Sequence, residues 1–429
     1  MAQGPHSLMS LDDAWSRLAE ALTRRSDGLA RQTLATDQAL MRVLAEDVVS
    51  TVDVPPHDNS AMDGYALRLS DWQRAGGVGA SLPQAQRIAA GQVGAELPAG
   101  ACARIFTGAP IPPGADAVVM QEHTLRSPST GGSEDVVTFA QPVQAGQNIR
   151  RRGEDIACGQ VVLEAGHRLG AAALGVAASV GRAELPVFVP PRVGVLTTGD
   201  ELVMPGRPLP PGGIYNSNRH TLLGLVQACG AEPVDLGTVP DQLDATRAAL
   251  REAAQSCELV ITSGGVSVGE EDHLRQAVAA EGNLDFWALA IKPGKPFVFG
   301  HLQRPQGGQA LYMGLPGNPV ARLVTFLLLA RPVIGCLAGE GWRLPRSFLL
   351  PAAFQWLKPD KRREFLRARL NDEGMLELHP HQGSGVLSSA AWADGLIDLP
   401  AQTLVQPGDR VRWLPWSELL QPAMSQRHA

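Results

Sequence analysis

The chain has 429 residues, room for about three domains of ordinary size, and at 44% hydrophobic it can bury several cores. Its 37 Lys and Arg against 43 Asp and Glu leave a formal charge of −6. That balance argues against a general nucleic-acid binder, which needs a basic face to neutralise phosphates, so any basic site must be local. Five scattered cysteines (Cys102, Cys158, Cys229, Cys257, Cys336) contain no CxxC pair and fit reduced thiols better than a disulfide frame or a zinc site. No apolar stretch reads as long enough to span a bilayer, because Leu327–Ala330 runs into Arg331-Pro332, and the N-terminus lacks the apolar core of a signal peptide. The expectation is a soluble, cytoplasmic protein with neither a membrane nor a nucleic-acid partner.

In chain order, Ser10-Leu11-Asp12-Asp13 reads as a capping box, with Ser10 as N-cap and Asp13 at N3. Helical spacing is expected from Leu11 to about Val49, with Trp15, Leu18, Ala19 and Leu22 on one stripe. Residues 50 to 148 change to short strand-like pieces cut by Gly and Pro. The Ala/Gly-rich stretch Leu169–Gly181 reads as a packed helix, and Pro186, Pro190 and Pro191 mark a boundary. Strands at Arg192–Leu196, Glu232–Leu236 and Glu258–Thr262 then alternate with helices at Thr221–Ala228, Ala245–Ala254 and from His273. That alternation predicts βαβ units and a mostly parallel sheet. Beyond Gly339 strands return at Phe348–Leu350, Arg367–Leu370 and Asp409–Trp413, which reads as a small all-β domain.

Ligands of an open parallel sheet bind outside the carboxyl ends of its strands. Five loops fall there: TTGDE (197–201), GTVPD (237–241), TSGGVSVGEED (262–272), IKPGKP (291–296) and GLPGNP (314–319). Any one of them is accounted for by turn geometry and helix capping. Five on one rim favour a site. Glu201, Asp241 and Asp272 would hold a divalent cation or act as general base, and Lys292 and Lys295 would face an anion. Carboxylates beside a phosphate repel it unless a metal or lysine intervenes, so the set suggests an acidic phosphorylated substrate held with Mg²⁺. Further upstream, PPHDNSAMDGYA (55–66) reads either as a turn with Asx hydrogen bonds or as a site, with His57 a packing or capping residue. Arg150, Arg151 and Arg152 read as solvated surface or as bidentate anion ligands.

The segments DNSAMDGYA (58–66), RIFTGAPIPPGADAVVMQE (104–122), GQNIRRRGEDI (146–156), TTGDEL (197–202), TSGGVSVGEED (262–272), IKPGKPFVFG (291–300), GLPGNPV (314–320) and HQGSG (381–385) occur in one order. Together they closely resemble the molybdopterin molybdenumtransferase family, the molybdenum insertases related to the gephyrin E domain, over essentially the whole chain. The resemblance implies an elongated homodimer of multidomain α/β subunits. The implied parts are a helical domain (1–49 and 149–186), a β-rich insertion (50–148), a mostly parallel α/β molybdopterin-binding domain (187–339) and a β-barrel-like C-terminal domain (340–429). It implies insertion of molybdenum from molybdate into adenylylated molybdopterin with release of AMP, in an Mg²⁺-dependent step.

The implied catalytic residues are Asp63, Asp241, Asp272, Lys292 and Lys295, with Glu201 and Asp272 on the metal. Implied substrate contacts are Thr107, Arg150–Arg152, Thr198, Gly199, Asn218, Ser263, Gly264, Gly265, Pro316, Gly317, Asn318, Arg367 and Ser384. Among these, Arg367 and Ser384 would close an oxyanion pocket, and Asn218 would contact ligand or cap the following helix. The segment before Arg367, Lys361–Leu366, diverges from the family pattern. The implied active site forms where this α/β domain meets N-terminal regions of the partner subunit. Transient contacts with the molybdopterin adenylyltransferase and with recipient molybdoenzymes are also implied. Two other readings fit parts of the pattern. An adenylyltransferase or nicotinamide-nucleotide deamidase on the same α/β domain leaves DNSAMDGYA, RRRGED and HQGS unexplained. A gephyrin-like receptor scaffold would be expected with an added adenylyltransferase domain and a long linker.

Overall fold

The structure, a computed structural model, describes residues 8–23, 28–127, 135–240, 242–264 and 273–421. Helix α1 (Leu11–Thr23) starts at the expected capping box: Asp13 N–H donates to Ser10 Oγ at 3.0 Å, and Ser10 Oγ–H donates to Asp13 Oδ2 at 2.7 Å. Helix does not continue to Val49. Arg31–Ala35 is a strand, β1, antiparallel to β8 (Glu184–Phe188), and only Thr36–Gln38 turns helically, as one 3₁₀ turn. Long-range pairing with β8 overrides the local spacing there. Pro186 lies inside β8, opposite Thr33, so the boundary falls after that strand and not at Pro186.

Within the expected domain of 1–49 with 149–186, the first helix packs elsewhere. Leu11, Ala14, Leu18 and Leu22 of α1 are buried in the core of the α/β region, beside Val193, Leu328 and Val333. Residues 31–49 instead share a separate core with α2 (Ala171–Ser179) and β8. Between these segments sits the β-rich insertion, a six-stranded sheet in the order β5-β2-β4-β3-β7-β6. Its strands are β2 (Gly64–Leu67), β3 (Ser81–Ile88), β4 (Cys102–Ile105), β5 (Ala117–Met120), β6 (Thr124–Ser127) and β7 (Val136–Phe139).

The α/β region carries a second six-stranded sheet. Strands β9 (Arg192–Thr198), β10 (Glu232–Val239) and β11 (Leu259–Ser263) alternate with helices α3 (Ser217–Ala228), α4 (Leu243–Ser256) and α5 (His273–Glu281). Next come β12 (Gly282–Ala288), a two-residue strand β13 (Ile291–Lys292) that leaves this sheet, β14 (Pro296–Gln303) and β15 (Gln309–Leu315). The order is β10-β9-β11-β15-β14-β12, parallel through the first four strands and antiparallel at β15/β14 and β14/β12. Two reversals return β12 to the direction of β15. Its carboxyl end, and the KPGK loop that follows, therefore share the rim with Thr198, Val239, Ser263 and Leu315. All five residues of β11 are buried, as expected of a strand covered on both faces.

Helix α6 (Pro319–Leu337) has 19 residues and a mean hydropathy of 1.8, long and apolar enough by those measures to cross a bilayer, contrary to the sequence expectation. It is 94% buried inside the protein, where it forms the central helix of the core, with one π-helical turn at Phe326–Ala330.

The C-terminal sheet comprises β16 (Phe348–Pro351), β17 (Arg363–Leu370), β18 (Leu376–Leu378), β19 (Gly395–Leu399) and β20 (Arg410–Pro415), with β18 paired to β17. It is not all-β, because helices Leu387–Trp392 and Trp416–Leu420 pack on it. Nor is it self-contained: β13 pairs in parallel with β17, matching Ile291 with Arg363 and Lys292 with Glu364. At the opposite end of α6, Glu340 accepts hydrogen bonds from Arg331 and from Arg168 of the N-terminal region, a buried triad joining the two.

Candidate active site

A cavity of about 810 Å³ opens where the carboxyl rim of the α/β sheet meets the C-terminal sheet. Three segments build it. The KPGK loop contributes Lys292 to Lys295, the end of β15 contributes Pro316, Gly317 and Asn318, and the HQGSG loop contributes Gln382, Gly383 and Ser384. Trp287 and Phe297 supply an apolar wall; Arg275 and Arg362 add cations beside Lys292 and Lys295. No Asp or Glu lines the cavity among the described residues. Behind that lining Asp360 and Glu364 pair with Lys292, and Asp360 with Arg362, so part of the cationic charge is already answered.

Each loop is fixed from behind. Gly294 has φ +115°, and a Cβ there would lie 2.5 Å from Thr325 Oγ1, so the turn between the lysines requires glycine. Lys292 Nζ lies 3.2 Å from Asp360 Oδ2 and 3.1 Å from Glu364 Oε1. Burial alone would lower the Lys292 pKa, but its hydrogen bonds to Glu364 and Asp360 outweigh that and raise it. Lys295 is exposed, and its ammonium has no ion-pair partner among the described residues. Arg362 is held by Asp360, whose carboxyl drops well below the usual range chiefly through the Arg362 guanidinium. Ser384 O accepts from Val320 N–H at 2.9 Å, which pins the HQGSG loop to the first turn of α6.

Arg367 does not line the cavity. Its side chain is wholly buried and donates to Ser389 Oγ at 3.1 Å and to Gly383 O at 3.1 Å; burial lowers its pKa to about 10. It supports from behind the loop that carries Ser384. The guanidinium that reaches the cavity from this strand region is Arg362, inside the divergent segment, where only its charge marked it. Asn218 is not the helix cap either. Asn216 takes that role by accepting from Arg219 N–H at 3.1 Å, and Asn218 Nδ2 donates to Gly317 O at 3.3 Å.

A second cluster lies along the same rim. Gly264 N–H donates to Leu315 O at 3.1 Å, and a Cβ on Gly264 would stand 3.5 Å from Thr198 Oγ1. Ser263 is buried beside it. Gly199 has φ +143°, and a Cβ there would lie 2.6 Å from Glu201 Oε2, so the Glu201 carboxylate folds back over a glycine. Among the described residues no three His, Cys, Asp or Glu side chains come together as a metal site. Asp241, Gly265 and Asp272 lie outside the described residues.

Asp63, Thr107 and Arg150–Arg152 are not among the residues lining the cavity and lie in and beside the β-rich insertion. Thr107 donates from N and from Oγ1 to Asp63 Oδ1, each at 2.8 Å, and the backbone bond chiefly, then the hydroxyl, lower the Asp63 pKa. Arg151 pairs with Asp58 and Arg152 with Asp53, which spends two of the three guanidiniums on local turns. Arg150 is exposed, with no ion-pair partner among the described residues.

Fold and site together define a multidomain α/β protein whose sheet rim carries a cavity lined by lysines and arginines, and comparison with known proteins gives it a family. Residues 9–181 match the MoeA N-terminal region (domain I and II), 194–335 the probable molybdopterin binding domain, and 350–416 the MoeA C-terminal region (domain IV). The chain is 40% identical over 420 residues to the molybdopterin molybdenumtransferase of Haemophilus influenzae, covering 96% of this chain and all of that one. It is 34% identical over 409 residues to the Bacillus subtilis protein of the same name, covering 90% and 92%. The crystal structure of the molybdopterin biosynthesis moeA protein from Pyrococcus horikoshii OT3 superposes with a TM-score of 0.77 at 28% identity, over 95% of this chain and all of that one. The chain belongs to the MoeA family of molybdopterin molybdenumtransferases, enzymes of molybdenum cofactor biosynthesis.

Proposed function

We propose that the chain inserts molybdenum from molybdate into adenylylated molybdopterin and releases AMP. The observation that carries this reading is the cavity at the sheet junction, with Lys292, Lys295, Arg275 and Arg362 around it and no described carboxylate in its lining. A tetrahedral dianion and a pyrophosphate both call for such ammonium and guanidinium donors. Trp287 and Phe297 suit the planar part of a pterin or nucleotide. Lys295, exposed and without an ion-pair partner among the described residues, is the cation free to take the incoming anion. Lys292, held by Glu364 and Asp360, fixes the loop and its charge. Ser384 contributes a hydroxyl donor at the same pocket.

The Glu201 carboxylate, folded over Gly199 at the end of β9, suits Mg²⁺, which takes one or two carboxylates and completes its shell with phosphate oxygens and water. Glu201 and Asp272 would hold it, and the bound ion would neutralise phosphate charge beside those acids. Thr198, Ser263 and Gly264 lie along the same rim and would cradle the phosphates, with Gly265 next to them in sequence. Asp241 would assist binding or proton transfer. Asp63 and Thr107 would serve the pocket of a partner subunit, because among the described residues no cavity-lining residue comes from 50–148. The protein would act as a cytoplasmic homodimer that receives substrate from an adenylyltransferase and passes product to molybdoenzymes. Purified protein given adenylylated molybdopterin, Mg²⁺ and molybdate should activate a cofactor-free molybdoenzyme. Failure to do so with all three present would count against the reading.

A further inference from the structure

Helix α6 carries two arginines with opposite circumstances. Arg331 is buried and paired with Glu340. Arg322 is equally buried, 0% exposed, yet forms no ion pair among the described residues. Its Nε donates to Pro316 O at 3.2 Å and its Nη2 donates to Gly317 O, while Nη1 has no hydrogen-bond partner among the described residues. Burial lowers the Arg322 pKa to about 9, with no carboxylate among the described residues offsetting it. A buried, uncompensated cation is costly, and replacing a buried ion with apolar atoms is often neutral or stabilising.

What Arg322 touches gives a reason for its charge. Pro316 and Gly317, whose carbonyls it holds, are lining residues of the 810 Å³ cavity, and Arg322 is not. A single layer of backbone thus separates the guanidinium from the anion pocket. From the other flank Asn218 Nδ2 donates to the same Gly317 carbonyl, and Asn218 Oδ1 is itself buried without a partner among the described residues. In a dry setting a charge behind one peptide layer is poorly screened, so it acts on whatever occupies the cavity.

We propose that Arg322 is a positioning residue for the reaction: it fixes the 316–318 loop and its charge, without a counter-charge among the described residues, is completed by a polyvalent tetrahedral oxyanion in the cavity. This rests on reading that cavity as the anion site. The oxyanion is either molybdate or a phosphate group of the nucleotide-bearing substrate, and separate probes distinguish them.

The test titrates the full-length protein with sodium molybdate and, separately, with inorganic pyrophosphate, by calorimetry and by ligand-induced shift of the melting temperature. Arg322→Met removes the charge and keeps a long side chain. Arg322→Gln, neutral but still a donor, is carried in parallel in case R322M fails to fold. Arg322→Lys keeps the charge without the fork. Wild type should bind at least one probe; R322M or R322Q should bind it roughly tenfold more weakly, with a smaller melting shift, and R322K should recover most of the loss. Loss confined to molybdate assigns the charge to the metal oxyanion, and loss confined to pyrophosphate assigns it to the phosphate. Equal affinity in wild type and the neutral variants would overturn the proposal and leave the anion pocket standing. R322K as weak as R322Q would overturn it by showing that the fork alone matters. Wild type binding neither probe would overturn both the proposal and the pocket.

Discussion

Lys292 and Glu364 face each other across the parallel pairing of β13 with β17, with Nζ 3.1 Å from Oε1. Glu364 is almost wholly buried, and its other oxygen accepts from Trp356 Nε1 at 3.0 Å and from Asp360 N–H at 3.1 Å. One carboxylate therefore joins a loop of the α/β region to the C-terminal sheet. Glu364→Gln should destabilise by roughly 1–3 kcal/mol, since a buried acceptor set is disturbed. The Lys292 pKa is raised in the folded state, so the pair's contribution is complete below the unfolded lysine value, about 10.4, and is lost only as pH rises through the higher folded value. Melting curves of wild type and E364Q should accordingly differ by a constant amount between about pH 6 and pH 9. A gap that closes within that window would contradict the assignment.

Asp63 holds both Thr107 donors, and its pKa is lowered by them. A carboxylate kept ionised this firmly makes a weak proton acceptor near neutrality and a good fixed charge. The stabilising effect of the pair is present above the unfolded carboxylate value and is lost as pH falls through the lower folded value. Asp63→Asn should cut turnover at least tenfold without moving the acidic limb of the pH–rate profile above about pH 4. A shifted limb would make Asp63 the titrating base instead.

Arg168, Glu340 and Arg331 form a buried triad between the N-terminal region and α6. Removing the central charge with Glu340→Gln strands two guanidiniums, a change of about 3–5 kcal/mol for a broken buried pair. Urea unfolding should show that loss, and a change below about 1 kcal/mol would mean the triad is not the lock between these regions.

At Gly199 a Cβ would strike the Glu201 carboxylate at 2.6 Å. Gly199→Ala should weaken Mg²⁺ binding at least tenfold, as read by calorimetry, because the displaced carboxylate is the proposed ligand. Unchanged affinity would place the metal elsewhere.

Part of the rim was legible because β9 and β11 read as largely apolar runs ahead of glycines, and the structure seats the strand ends Thr198, Val239 and Ser263 on one edge. The helix start at Ser10 was equally legible, since a capping box is purely local. What could not be read locally was decided by distant partners. Arg31–Ala35 becomes strand because β8, some 150 residues on, pairs with it; α1 leaves its neighbours for the core around α6. Arg362 and Arg367 show the same limit within the site. Both are arginines near one strand, and only the fold decides that Arg367 is buried under the HQGSG loop while Arg362 reaches the cavity. Arg322 carried no motif signal; it stands out only in the fold, buried against the Pro316 and Gly317 carbonyls without a counter-charge among the described residues.

The most direct test of the central claim is the rate of molybdate-dependent AMP release from adenylylated molybdopterin with Mg²⁺, for wild type and Lys295→Ala. Lys295 is the exposed cavity cation without an ion-pair partner among the described residues, so its removal should lower that rate at least a hundredfold, about 2.7 kcal/mol, while the melting temperature stays unchanged. AMP release by K295A at the wild-type rate, or release by wild type that does not depend on molybdate, would contradict the account.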